Sequence, residues 1–88
     1  MLKTIVGIKD EKIGYINLLT FDSEGQAIRS FGDACTPKGN KEENDFVKFP
    51  KDFNLMSLGT FDTETGEIRP YTPRTSASAT QYQGKENE

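Results

Sequence analysis

One amphipathic helix pattern, set between strand-like stretches, constrains the fold of this chain more than any other feature. After Ser23, apolar residues recur at a spacing that places them on one side of an α-helix. These residues are Ala27, Ile28, Phe31, Ala34 and Cys35. Ser23 and Gln26 have the spacing of a capping box, and Thr36 precedes Pro37, which disfavours helical geometry. A single short helix has to bury its apolar side against a sheet.

Four stretches around this helix have the apolar and β-branched composition of strands. They are residues 2–9, 15–21, 53–61 and 67–71. Residues 62–66 predict a tight turn with Gly66 in the left-handed conformation, and Pro70 restricts the fourth strand to a sheet edge or cuts it short. We therefore predict an α+β fold: a small antiparallel or mixed four-stranded sheet with one helix on one face, in the order β-β-α-long loop-β-β.

The apolar side of the helix also predicts which sheet residues form the core. Ile28, Phe31 and Cys35 are expected to cover one sheet face. The side chains expected beneath them are Val6, Ile8, Ile16, Leu18 and residues 53–58. The opposite face would then be open. Because a chain of 88 residues can bury only a thin core, we expect a homodimer that covers this face.

The last part of the chain differs in composition from the rest. Residues 72–88 show no periodicity and few large apolar side chains. We therefore expect one α+β domain over residues 1–71 and a disordered C-terminal tail over residues 72–88.

The composition argues against most catalytic chemistry. The chain has no histidine and one cysteine, so the commonest general base and a cysteine-based zinc site are both missing. Cys35 lies on the apolar side of the helix, where a buried, unreactive thiol is expected. Asp52, Asp62 and Glu64 fit turn and strand-end positions better than a metal site. We expect no enzyme activity, no cofactor and no bound metal. The chain also lacks an apolar run long enough for a membrane span or a secretory signal, so a cytoplasmic protein is expected.

Two stretches go beyond general α+β patterns: GQAIRSFGD at residues 25–33 and FPKDFNLMSLGTFDTETGEI at residues 49–68. Together with the N-terminal strand, they resemble the small nonstructural protein of gokushoviruses, single-stranded DNA phages of the microvirus group. The resemblance covers residues 1–70. It implies a protein of the host cytoplasm, outside the virion, that binds DNA or assists single-stranded genome synthesis, and it brings no catalytic residues. The sequence departs from the family in a longer lysine-containing loop at residues 37–48 and in its tail after residue 71.

Two groups of basic and aromatic residues are candidates for contact with single-stranded DNA, which needs cations and exposed rings for base stacking. The first group is Lys41, Phe46, Lys48, Phe49 and Lys51, and the second is Arg69, Tyr71 and Arg74. For the first group the alternative is that the rings close the core and the lysines are only solvated. For the second it is a charged sheet edge that discourages aggregation.

The net charge of −3 limits any such contact to a local one. The leading hypothesis is a non-enzymatic phage protein that assists single-stranded DNA replication through weak, sequence-independent DNA binding. The rival hypothesis is a protein–protein adaptor that engages a phage or host replication protein without contacting DNA.

Overall fold

Four antiparallel strands form one sheet, and the helix that starts after Ser23 packs on one of its faces. The computed structural model describes residues 1–37 and 44–82. The strands are β1 (Leu2–Asp10), β2 (Gly14–Phe21), β3 (Phe53–Asp62) and β4 (Ile68–Ser78); the helices are α1 (Glu24–Cys35) and the short α2 (Asp45–Lys48). Two 3₁₀ turns, Pro50–Asp52 and Ala79–Tyr82, complete the chain. The order across the sheet is β2-β1-β3-β4, and every pairing is antiparallel. The α+β prediction is confirmed.

The predicted cap of α1 is present. The Ser23 hydroxyl accepts a hydrogen bond from the Gln26 amide at 3.1 Å. The Gln26 side chain reaches back one residue further than in a standard capping box and accepts from the Asp22 amide at 3.2 Å. At the other end, the Thr36 hydroxyl donates to the Gly32 carbonyl at 2.7 Å, which satisfies one of the terminal acceptors of the helix.

The core lies between α1 and the sheet. Its buried members are Val6, Ile8, Ala27, Phe31, Cys35, Phe53, Leu55, Ala77 and Ala79. Gly66 adopts a φ of 80°, as the turn between β3 and β4 requires. The predicted contributions of Phe31 and Cys35 from α1, and of Val6 and Ile8 from β1, are confirmed.

The prediction that Ile16 and Leu18 lie beneath the helix is wrong: they are 40% and 70% exposed. In the observed register Val6 pairs with Leu19, whereas Leu18 pairs with Gly7 on the opposite face. Because neighbours across a sheet share a face, Leu19 rather than Leu18 points to the helix side. The pairing shifts between Ile8 and Lys9, so the alternation of β2 could not be extrapolated along its whole length.

The predicted domain boundary after residue 71 is also wrong, because the folded chain continues to Tyr82. β4 extends to Ser78, and both Ala77 and Ala79 are buried, at 4% and 0% exposure. Tyr82 packs edge-on against Phe31 with ring centroids 6.4 Å apart. β4 tolerates its prolines because it is an edge strand, where a missing N–H breaks no ladder bond on the open side. The remainder of the predicted tail, residues 83–88, lies outside the described residues.

The second half of the predicted long loop contains α2 and the first 3₁₀ turn, while residues 38–43 lie outside the described residues. Asn44 caps α2 by accepting from the Val47 amide at 3.0 Å. Its side-chain nitrogen also donates to the Ala34 carbonyl at 2.8 Å, which attaches α2 to the end of α1. Within the described residues, no helix has the length and apolar character needed to cross a membrane.

Candidate nucleic-acid interface

An exposed basic and aromatic surface forms where α2 gives way to the 3₁₀ turn. The Phe49 amide donates to the Asp45 carbonyl at 2.8 Å and so closes the last turn of α2. The Phe49 carbonyl in turn accepts from the Asp52 amide at 3.0 Å. This tight reversal, with Pro50 opening the 3₁₀ turn, leaves the Phe49 ring 55% exposed. Lys48, Phe49 and Lys51 line one open pocket together with Pro50 and Asp52. We call this set the Phe49 surface.

The two lysines of the Phe49 surface are available for an anionic ligand. Lys48 and Lys51 are both exposed, and neither forms an ion pair within residues 1–37 and 44–82. Asp52 lines the same pocket and reduces the local positive potential. The geometry offers one open ring and two cations, which is a small version of the surface that single-stranded nucleic acids bind.

Phe46, predicted to stack on bases, packs inward instead. Its ring is in edge contact with Phe53, with centroids 4.8 Å apart, and in tilted contact with Phe31 at 5.8 Å. It therefore belongs with the core aromatics, and the Phe49 surface has one exposed ring rather than two. Lys41, the remaining predicted member of this group, lies outside the described residues.

The second predicted group, on β4, is already occupied by contacts within the protein. Arg69 Nε donates to Glu67 at 3.1 Å, and Arg74 Nη2 donates to Glu24 at 3.1 Å. The Arg74 guanidinium lies 5.5 Å from the centroid of the Tyr71 ring. Interaction with Tyr71, followed by the charge of Glu24, raises the pKa of Arg74 above its ordinary value. Both arginines are thus partly neutralised by glutamates, which weakens this group as a phosphate-binding surface.

Sequence reasoning missed a polar cluster around Glu24, the acidic residue in the first turn of α1. The Glu24 carboxylate accepts from Ser76 at 2.6 Å and from Ser57 at 3.1 Å, in addition to Arg74. These hydrogen bonds, that of Ser76 first, lower the pKa of Glu24. Ser57 is fully buried, and a serine within an apolar strand was the one available sign that a polar partner faces it.

Cys35 and Asp62 lie where the sequence placed them. Cys35 is fully buried, and burial raises the pKa of its thiol to about 11. Asp62 accepts from the Glu64 amide at 2.8 Å in the β3–β4 turn, and this hydrogen bond lowers its pKa.

Comparison with known proteins identifies the family of this chain. No curated protein and no solved structure matches the chain. A family model described as phage ORF5 protein matches residues 3–82, which include β1 from its second residue, the other three strands, α1 and the Phe49 surface. The match also includes the residues beyond 71 that the fold incorporates. This protein therefore belongs to the phage ORF5 protein family.

Proposed function

We propose that this phage protein binds single-stranded DNA weakly and without sequence preference, and that it does so through the Phe49 surface. The observation that carries the proposal is the exposed Phe49 between two lysines that form no ion pair within residues 1–37 and 44–82. A base stacked on an aromatic side chain contributes about 1–3 kcal/mol, and any base can take this position. In this proposal Lys48 and Lys51 contact the phosphates on either side of the stacked base.

The charge of the protein sets the strength of this binding. With a net charge of −3 there is no long-range attraction for DNA, and only the local lysines favour contact. Each phosphate contact on a single strand contributes about −0.7 to the slope of log affinity against log salt. Two contacts therefore predict a slope of about −1.4, a modest salt dependence.

Fluorescence anisotropy with a labelled oligothymidine at several salt concentrations tests the proposal. We expect Phe49→Ala to lower affinity by about tenfold, because it removes one stacked base. Lys48→Gln and Lys51→Gln should each flatten the salt slope by about 0.7. Arg29→Gln removes the same charge from the exposed side of α1 and is the matched control. Equal losses for Arg29→Gln and the two lysine variants would contradict a local site, and an absence of binding at low salt would reject the DNA function.

The wider role that we propose is assistance to single-stranded genome replication in the host cytoplasm, by a non-enzymatic protein of a gokushovirus. The resemblance of residues 25–33 and 49–68 supports this assignment, and the phage ORF5 family membership is consistent with it. No residue of the Phe49 surface has a catalytic part in this proposal.

A protein–protein adaptor is the second candidate function. Its support is the acidic net charge and the apolar side chains exposed on β2. Pull-down from infected cells distinguishes the two candidates: an adaptor would retain a phage or host replication protein after nuclease treatment, whereas a DNA-mediated association would be lost.

A further inference from the structure

The sheet has one edge strand that lacks charged residues and prolines, and its pairing is interrupted only near its start, where the register shifts between Ile8 and Lys9. β2 lies at one edge and β4 at the other. β2 has the sequence GYINLLTF, without a charged residue or a proline, in a chain of which 28% is charged. From Asn17 to Phe21 its pairing with β1 is regular, so its outer backbone groups form a straight row. An uncharged edge with regular pairing and exposed apolar side chains is a template for another strand.

The opposite edge is protected in several ways. β4 contains two prolines, Pro70 and Pro73, and two arginines, Arg69 and Arg74. Its pairing with β3 shifts twice, between Leu55 and Met56 and again between Ser57 and Gly59. Prolines, charges and irregular pairing all prevent the addition of a strand. The contrast between the two edges indicates that β2 is left open for a partner.

Exposed apolar side chains are concentrated at this same edge. Ten large apolar side chains are exposed in the described part of the chain, and five of them lie on β2 or in the turn before it. These five are Ile13, Tyr15, Ile16, Leu18 and Leu19. By contrast, the middle of the open sheet face is already covered in part. Ile5 is only 8% exposed, and a Cβ on Gly7 would lie 2.9 Å from Leu58 Cδ1 and 3.0 Å from Tyr15 Cδ1.

We propose that β2 pairs antiparallel with β2 of a second copy of this chain, which joins two four-stranded sheets into one of eight strands. The pairing is self-complementary, as a two-fold interface requires. Since β2 carries no charge, the two copies bring no like charges together along the strand. The antiparallel arrangement also brings the turn that contains the exposed Lys12 towards the end of the second copy's strand, where Asp22 lies.

The proposed pairing covers apolar side chains on both faces of the sheet. A two-fold axis perpendicular to a continuous sheet keeps both α1 helices on one face. With Leu18 of one copy opposite Leu18 of the other on the open face, Leu19 of each copy lies opposite Asn17 of the other on the helix face, and the two Leu19 side chains are diagonal neighbours. This proposal moves the expected dimer contact from the open face to the edge, and it does not depend on DNA binding.

The test is the molar mass of the full chain by light scattering after size exclusion, from low micromolar to near-millimolar concentration. We expect a species of twice the 9.8 kDa chain mass. Leu18→Lys should raise the dissociation constant about tenfold or more, because it places two cations opposite each other. Ile68→Lys is the matched control. Ile68 and Leu18 line one groove on the open face and are similarly exposed, at 62% and 70%, but Ile68 lies on β4, at the opposite edge of the sheet.

Amide hydrogen exchange on the unmodified chain provides a second measurement that needs no variant. Amides of β2 that point away from β1 should become protected as concentration rises, while those of β4 should not change. A monomer at every concentration would overturn the proposal. This outcome includes the case in which β2 pairs with a different protein instead of a second copy. Dissociation by Ile68→Lys but not by Leu18→Lys would also overturn it, because the open face would then be the interface.

Discussion

At the scale of single residues, Glu24 connects more of the tertiary structure than its place at the start of α1 suggests. Its carboxylate accepts from Ser76 on β4 and Ser57 on β3, and Arg74 on β4 pairs with it. A helix terminus and two strands that are distant in the chain thus meet at one side chain. Ser57 is fully buried, so loss of this acceptor would leave a buried hydroxyl with one partner fewer.

We expect Glu24→Gln to lower the free energy of unfolding by about 1–2 kcal/mol, because charge-assisted hydrogen bonds become neutral ones. Urea denaturation at pH 7 measures the change. Glu64→Gln is the matched control: Glu64 is 80% exposed and pairs only with the terminal amine at 3.0 Å within the described residues, so a change within about 0.5 kcal/mol is expected. Equal effects of the two variants would contradict a structural role for Glu24.

The lowered pKa of Glu24 predicts how this contribution depends on pH. A carboxyl group that binds its proton less readily in the folded state stabilises that state above its unfolded pKa, near the ordinary value of 4.5. The contribution is lost as pH falls through the lower, folded pKa. The difference in unfolding free energy between the original protein and Glu24→Gln should therefore shrink as the pH is lowered from 7 to about 3. A constant difference over this range would contradict the assignment.

At the scale of elements, the close approach of β3 and β4 depends on a glycine. A Cβ on Gly59 would lie 2.5 Å from the Arg69 carbonyl oxygen and 2.9 Å from the Pro70 Cα. These are backbone atoms, so the neighbouring strand itself would have to move. Around Gly7, in contrast, the nearest atoms belong to the Leu58 and Tyr15 side chains rather than to the backbone, and side chains can rotate away.

Gly59→Ala should therefore destabilise the protein by about 1–3 kcal/mol, the usual cost of overpacking. Gly7→Ala is the control, with an expected loss below about 1 kcal/mol, since side-chain rotation relieves the clash and alanine restricts the unfolded chain. Thermal unfolding of both variants measures the difference. A Gly7→Ala loss equal to or larger than that of Gly59→Ala would contradict this account of the β3–β4 contact.

At the scale of the whole molecule, the fold extends over residues that look like a polar tail. Ala77 pairs with Leu55, and Ala79 is fully buried. Tyr82 lies against Gly32, where an added Cβ would be 2.7 Å from the tyrosine ring. Residues 77–82 thus cover the C-terminal part of α1 and enlarge a core that would otherwise be small for a chain of this length.

A chain that ends after residue 82 should retain the unfolding free energy of the full chain within about 0.5 kcal/mol. A chain that ends after residue 71 should fail to fold cooperatively, because it loses seven of the eleven residues of β4 and the buried Ala77 and Ala79. Circular dichroism during urea titration distinguishes the two. If the shorter chain unfolded cooperatively at the same urea midpoint as the full chain, the predicted boundary at residue 71 would be correct.

How much of the candidate site could be predicted depended on where each side chain points. The sequence identified Lys48, Phe49 and Lys51 as a basic and aromatic group, and the structure brings them to one pocket. It could not separate Phe46 from Phe49, since both are phenylalanines of one polar stretch and only the orientation of α2 turns the first inward. The neutralisation of Arg74 by Glu24 joins residues fifty positions apart, which no local pattern reveals.

Local sequence patterns were enough to predict the α+β class, the start and end of α1 and the turn at Gly66, because caps, periodicity and left-handed glycines act within a few residues. The tertiary structure decided the register of β2, the inclusion of residues 72–82 and the difference between the two sheet edges. These depend on pairing between distant segments, where a shift of one residue moves every side chain to the other face. For the same reason, Leu18 points away from the helix and lies at the open edge where we propose that a second copy binds.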